Sequence, residues 1–74
     1  MSKLPVISGR RCARALEREG FYLKRQTSSH LILRRDEPFA QVVVPDHKTL
    51  DRGTLRAIVR QAGLSVDKFV GLLN

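Results

Sequence analysis

The chain is 74 residues long, and its 42% apolar and 28% charged residues are typical of one small folded domain, residues 1–74, rather than of a disordered segment. Fourteen Lys and Arg against seven Asp and Glu give a net charge of +7. This charge favours a polyanionic partner, most often nucleic acid, with a membrane surface or an acidic protein as the alternatives. A single cysteine excludes an internal disulfide framework. No apolar run has the length of a signal peptide or a membrane span, so we expect a cytoplasmic protein without membrane attachment.

The first predicted element is a helix that begins after Ser8 and ends at Gly20. Serine is a common N-cap, and glycine is the usual residue where a helix stops. Cys12 and Leu16 lie at helical spacing between these two signals and are predicted to face the core. The polar face of this helix carries Arg10, Arg11, Arg14 and Arg18.

Three short strands follow. Apolar and polar residues alternate with a period of two over residues 21–25 and 30–35. Residues 39–44 are β-branched and aromatic, and Pro45 ends this third segment. Polar residues 26–29 and the acidic stretch 36–38 predict the two connecting turns. The pattern is that of an antiparallel three-stranded meander.

Two more helices are predicted at the end of the chain. Asp51 and Ser65 are suitable N-caps, and Gly63 separates the two segments. Each segment repeats apolar residues at the i, i+3, i+4 and i+7 spacing of one buried face: Leu55, Ile58, Val59 and Ala62, and then Val66, Phe69, Val70 and Leu73. Burying these faces requires helices on one side of the sheet. We therefore predict an α+β fold of order α-β-β-β-α with a short C-terminal helix.

The other side of the sheet is predicted to be uncovered. Leu31 and Leu33 should share the core side with Phe21 and Leu23, since a slip of one residue would reverse every side chain. This in-register pairing predicts that His30 lies near Lys24 and, across the second hairpin, near Val43 or Pro45. The uncovered side is predicted to carry Tyr22, Lys24, His30, Ile32 and Arg34.

His30 is the strongest candidate for chemistry. An exposed histidine on a strand is commonly an ordinary surface residue, but an imidazole can also exchange protons at neutral pH. In RNA cleavage it can accept the 2′-hydroxyl proton or protonate the leaving 5′-oxygen. Lys24 and Arg34 beside it would offset charge on the scissile phosphate, and Ser28 and Ser29 can bind phosphate or serve the turn.

Other candidates are weaker. His47 follows the third strand and could approach His30, although a solvated loop residue is the simpler interpretation. The histidines and carboxylates show no metal-ligand spacing, so we predict no metal and no cofactor. Arg52, Arg56 and Arg60 form a basic ridge that could bind a phosphate backbone or an acidic partner.

Several motifs together resemble the HicA family of bacterial toxins over residues 8–69. The step Glu19-Gly20-Phe21 is similar to the family's entry into its first strand, and the turn at residues 26–30 is similar to its Gly-Ser-His motif. The most specific part is the ordered block at residues 44–47, Leu50, 53–58 and 61–65. The resemblance implies a fold like that of double-stranded-RNA-binding domains.

The resemblance also implies a function. HicA toxins cleave messenger RNA without a metal and are neutralised by HicB antitoxins, and the histidine of the Gly-Ser-His motif is catalytic. This role falls on His30, with Lys24, Ser28, Ser29 and Arg34 as candidate RNA-binding residues. Ser28 replaces the family's usual glycine, so a positive φ at this position would strain the turn.

Three hypotheses are compatible with these observations. The leading one is an endoribonuclease toxin that is inhibited by a HicB-type antitoxin and binds RNA on the uncovered strand face. The second is a non-catalytic RNA-binding module with the same fold, and the third is an adaptor that docks an acidic protein. His30 separates the first from the others, because only the enzyme needs it.

Overall fold

The computed structural model describes residues 3–73. Along these residues the elements are α1 Gly9–Glu17, β1 Tyr22–Gln26, β2 His30–Asp36, β3 Phe39–Pro45, α2 Arg52–Gln61 and α3 Val66–Leu72. The predicted order and the α+β class are confirmed, and the arrangement is consistent with the fold of a double-stranded-RNA-binding domain.

The helices begin and end where the sequence predicts. The side chains of Ser8, Asp51 and Ser65 each accept a hydrogen bond from a backbone N–H in the first turn of their helix, at 3.1, 2.8 and 3.1 Å. Gly20 and Gly63 follow α1 and α2 with φ of 94° and 76°. Only glycine adopts such angles at little cost, which explains both positions.

The three strands form one antiparallel sheet of order β1-β2-β3. Leu23 pairs with Leu33, but the next pair joins Arg25 to Ile32, so Lys24 is the extra residue of a β-bulge. The predicted proximity of Lys24 to His30 is wrong, because β1 pairs with Leu23 opposite Leu33, which leaves Lys24 beside Leu33 and Ile32 and not opposite His30. Across the second hairpin, His30 pairs with Pro45 as expected.

The helices cover one side of the sheet, as predicted. The largest fully buried side chains come from the sheet and from all three helices: Phe69, Leu16, Leu33, Leu55, Val42, Val44, Val59 and Cys12. On the other side, Tyr22 is 41% exposed and Val43 is 46% exposed. Leu23 pairs with the buried Leu33 yet is 45% exposed, because β1 is an edge strand that the helices cover only in part.

Candidate functional site

His30 is the first residue of β2 and is exposed at one end of the sheet. Its backbone N–H donates to Thr27 Oγ1 at 3.1 Å, and its carbonyl accepts from the Thr27 N–H at 2.9 Å. The Ser29 N–H also reaches Thr27 Oγ1, at 3.4 Å. Thr27 thus closes the turn that holds His30. This role of Thr27 was not predicted from the sequence, although threonine hydroxyls often close a turn by bonding to nearby backbone groups.

The imidazole of His30 is oriented by its neighbour. Ser29 Oγ lies 3.0 Å from His30 Nδ1, a distance that suits a hydrogen bond with either tautomer of the ring. When Nδ1 carries the proton and donates to Ser29, Nε2 is an acceptor that can take a proton from a substrate. Among the contacts of residues 3–73, Nε2 has no protein partner. This nitrogen is therefore the one available for chemistry.

The loop after β3 lies against the turn that carries His30. The Asp46 N–H donates to the Ser29 carbonyl at 2.9 Å, and the Asp46 carboxylate accepts from Arg10 at 3.1 Å. The Gly9 N–H donates to the His47 carbonyl at 2.9 Å. This end of the site is thus built from α1, the first turn and the loop. The backbone of His47 lies here as predicted, but within the described part of the chain no hydrogen bond links the two histidine side chains.

Gly9 is required where α1 meets this loop. A Cβ at position 9 would overlap the Pro45 carbonyl oxygen and lie 3.4 Å from the Asp46 Cα. These are backbone atoms, which cannot move aside as the end of a flexible side chain can. The helix therefore approaches the loop as closely as glycine alone permits.

We expect Gly9→Ala to lower the free energy of unfolding by about 1–3 kcal/mol, the usual cost of overpacking, and to slow any reaction at His30 by displacing the loop. Gly53→Ala is the matched control, because its added Cβ meets only Asp51 Oδ1 at 3.4 Å. Urea unfolding of both variants measures the difference. Equal stability of the two variants would contradict the close approach of α1 to the loop.

The predicted RNA-binding cations do not gather beside His30. Arg34 lies four residues along β2, about 13 Å away by strand geometry, and its Nε donates to Gln41 Oε1 at 3.1 Å. Lys24 occupies the bulge. Arg25, paired with Ile32, takes the place on the uncovered face that Lys24 was expected to hold. Sequence alternation could not find Arg25, because a bulge leaves no signal in a run of polar residues.

The two serines before His30 are in the exposed turn, as predicted. None of the non-glycine residues in the described range has a positive φ, so Ser28 carries none of the strain that replacing glycine could have introduced. Both side chains are exposed at the end of the sheet, next to the imidazole.

Cys12 belongs to the core and not to the site. It is fully buried on α1, and burial raises the pKa of its thiol to about 12. The thiol is therefore protonated at neutral pH and is a poor nucleophile. Residues 3–73 hold no group of three or more His, Cys, Asp or Glu side chains placed to bind a metal ion. None of the described helices is long and apolar enough to cross a membrane.

Comparison with known families adds one result. A family model described as HicA toxin of bacterial toxin-antitoxin matches residues 9–64, more than half of the chain. The matched segment runs from the start of α1 to the turn after α2 and includes His30. A comparison with curated proteins gave no match.

Proposed function

This chain belongs to the HicA family of toxins from bacterial toxin–antitoxin systems, and we propose that it is an endoribonuclease that cleaves messenger RNA with His30 as its catalytic residue. One observation carries this proposal: His30 is exposed at the end of the sheet, and Ser29 Oγ holds its Nδ1 at 3.0 Å. Within the described residues His30 Nε2 makes no protein hydrogen bond, so the ring contributes little to the fold and can accept a proton from a substrate. Family membership implies an antitoxin partner, and we propose that this partner is of the HicB type.

The proposed reaction is a transesterification at one phosphodiester. His30 Nε2 accepts the proton of the 2′-hydroxyl, whose oxygen attacks the neighbouring phosphorus. The bond from phosphorus to the 5′-oxygen breaks, and the leaving oxygen takes a proton from water or from the imidazolium. The products are a 2′,3′-cyclic phosphate and a free 5′-hydroxyl. General acid–base catalysis of this kind contributes about 10²- to 10⁴-fold in rate.

One cation on the face of His30, Arg25, is proposed to help bind the substrate. We propose that Arg25, on the same face and paired with Ile32, offsets the charge that develops on the scissile phosphate. We also propose that Ser28 and Ser29, which are exposed in the turn, contact a phosphate there. Lys24 and Arg34 lie farther from His30 and would contact neighbouring nucleotides.

The ends of the cleavage products test this mechanism. We expect a purified chain to cut an unstructured oligoribonucleotide into fragments with 2′,3′-cyclic phosphate or 3′-phosphate ends, because His30 alone can start the attack by the 2′-hydroxyl. Cleavage should persist in excess EDTA, and mass spectrometry identifies the ends. A substrate with a deoxynucleotide at the cut position is the matched control, since it lacks the nucleophile. Products with 5′-phosphate ends, or activity that returns only with a divalent ion, would contradict the proposal.

A further inference from the structure

Two exposed aromatic rings flank Arg34 on the uncovered side of the sheet. Tyr22 of β1 is 41% exposed and pairs directly with Arg34 of β2. Phe39 of β3 is 66% exposed, and the Arg34 guanidinium lies 5.4 Å from the centre of its ring. Phe39 therefore keeps most of its apolar surface in water, and a ligand that covered the ring would be stabilised by burying that surface. We call Tyr22, Arg34 and Phe39 the aromatic platform.

Hydrogen bonds hold the platform in place. The Tyr22 hydroxyl donates to the Asp36 carboxylate, with oxygen–oxygen distances of 3.0 and 3.3 Å. Arg34 Nε donates to Gln41 Oε1 at 3.1 Å while its guanidinium stays over Phe39. The Tyr22 and Arg34 side chains are therefore ordered before a ligand arrives, which lowers the conformational entropy that the protein loses on binding. A pre-ordered planar surface suits another planar group.

At this end of the sheet the Asp36 carboxylate, which accepts from the Tyr22 hydroxyl, offsets the positive charge of Arg34. A phosphate is therefore attracted less strongly here than a neutral base is favoured by the exposed rings. Arg25 lies closer to His30 along the same face, where a backbone phosphate would be attracted. A single strand that places its phosphates near Arg25 and His30 can therefore lay a base on the platform. Stacking on aromatic rings and on arginine planes is the usual way in which proteins hold unpaired bases.

We propose that the aromatic platform binds a base of single-stranded RNA by stacking, about 13 Å along β2 from His30, so that the stacked nucleotide is not the one that is cut. This inference rests on the proposed ribonuclease function and specifies its substrate class. Duplex RNA does not fit the platform, because its bases are already stacked on one another. An apolar segment of a protein partner is the competing occupant.

The absence of tryptophan from the chain makes the platform easy to monitor. Phe39→Trp supplies the single tryptophan and keeps an aromatic face, so a stacked base should quench its fluorescence. The titrants are a 2′-O-methylated single strand, which cannot form the cyclic phosphate, an abasic strand of equal length, and the same sequence as a duplex. We expect quenching by the single strand only.

Affinity measurements on the otherwise native chain provide the second readout. Tyr22→Leu and Phe39→Leu keep an apolar side chain but remove the aromatic face, and each should weaken single-strand binding by about fivefold or more. Val43→Ala is the matched control on the same face, because Val43 is 46% exposed and has no ring; its affinity should stay within about twofold of the native value. Circular dichroism verifies that each variant is folded.

The result that overturns the platform is equal quenching by the abasic strand, or native RNA affinity in both leucine variants. If Tyr22→Leu and Phe39→Leu weaken binding of an acidic partner protein but not of RNA, the surface is a docking site for that partner and not for a base. Cleavage of an unmodified strand is measured in parallel. Normal cleavage with unchanged affinity in both leucine variants rejects the platform alone. Quenching by the methylated strand, when the native chain does not cut the unmodified strand of the same sequence, rejects the ribonuclease proposal alone.

Discussion

His30→Ala should reduce the rate of RNA cleavage by about 10²- to 10⁴-fold, which is the contribution expected from a general acid or base. The fold should survive, because the imidazole is exposed and the bonds that close its turn use its backbone and Thr27. Substitutions at such surface positions usually change the free energy of unfolding by less than about 0.5 kcal/mol. Cleavage of an oligoribonucleotide gives the rate, and circular dichroism during thermal unfolding gives the stability.

The second histidine provides a matched control for this substitution. His47 lies in the adjacent loop, is exposed, and contributes its backbone carbonyl to the bond with Gly9. His47→Ala keeps that carbonyl and should retain cleavage near the native rate. Native activity in His30→Ala, or equal losses in the two variants, would remove His30 from its proposed role. Loss in His47→Ala alone would transfer the catalytic role to the loop.

Phe69→Ala should cause the largest loss of stability, although Phe69 lies outside the matched family segment. Its side chain is fully buried on α3 within the core. Replacing a buried phenylalanine by alanine costs about 3–5 kcal/mol, and a chain of this length has about 4–11 kcal/mol in total. We expect the variant to unfold at a much lower urea concentration, and to be partly unfolded at 37 °C.

Gly71→Ala is the matched control in the same short helix. A Cβ at position 71 has no atom within 4 Å, so the substitution creates no clash. Alanine favours a helix over glycine by about 0.5–1 kcal/mol, and stability should therefore stay the same or rise. If Phe69→Ala changed stability as little as Gly71→Ala, α3 would not be part of the folded core. A large difference shows that the fold needs residues beyond position 64.

Ribonuclease activity and inhibition make opposite demands on the uncovered face. If the proposed function holds, His30, Arg25 and the aromatic platform must be open to RNA, yet the same exposed apolar and basic groups suit an acidic inhibitor. Opposite charges accelerate such an encounter, especially at low salt. The toxin's net charge of +7 is therefore compatible with both its proposed substrate and the proposed HicB-type antitoxin.

Local signals in the sequence determined most of the secondary structure. Ser8, Asp51 and Ser65 cap their helices because a side-chain oxygen can reach the free N–H groups of the first turn from its own position. The alternation along β2 likewise identified the buried side of the sheet, since side chains on a strand point to opposite sides in turn. His30 could be chosen because its position at the start of β2 follows from the same alternation.

The arrangement around His30 depended on contacts between distant parts of the chain, and only the tertiary structure decided it. The sequence predicts Lys24 on the uncovered face, but the bulge places Arg25 there instead. The bulge results from the pairing of β1 with β2 and not from a local preference of its residues. The need for glycine at position 9 arises from the Pro45 carbonyl, which is 36 residues away in the chain. The aromatic platform likewise exists only because Tyr22, Arg34 and Phe39 come from three different strands that pair in one register. Short-range patterns determine helices, strands and their faces, whereas the neighbours of a side chain across a sheet depend on the pairing of whole strands.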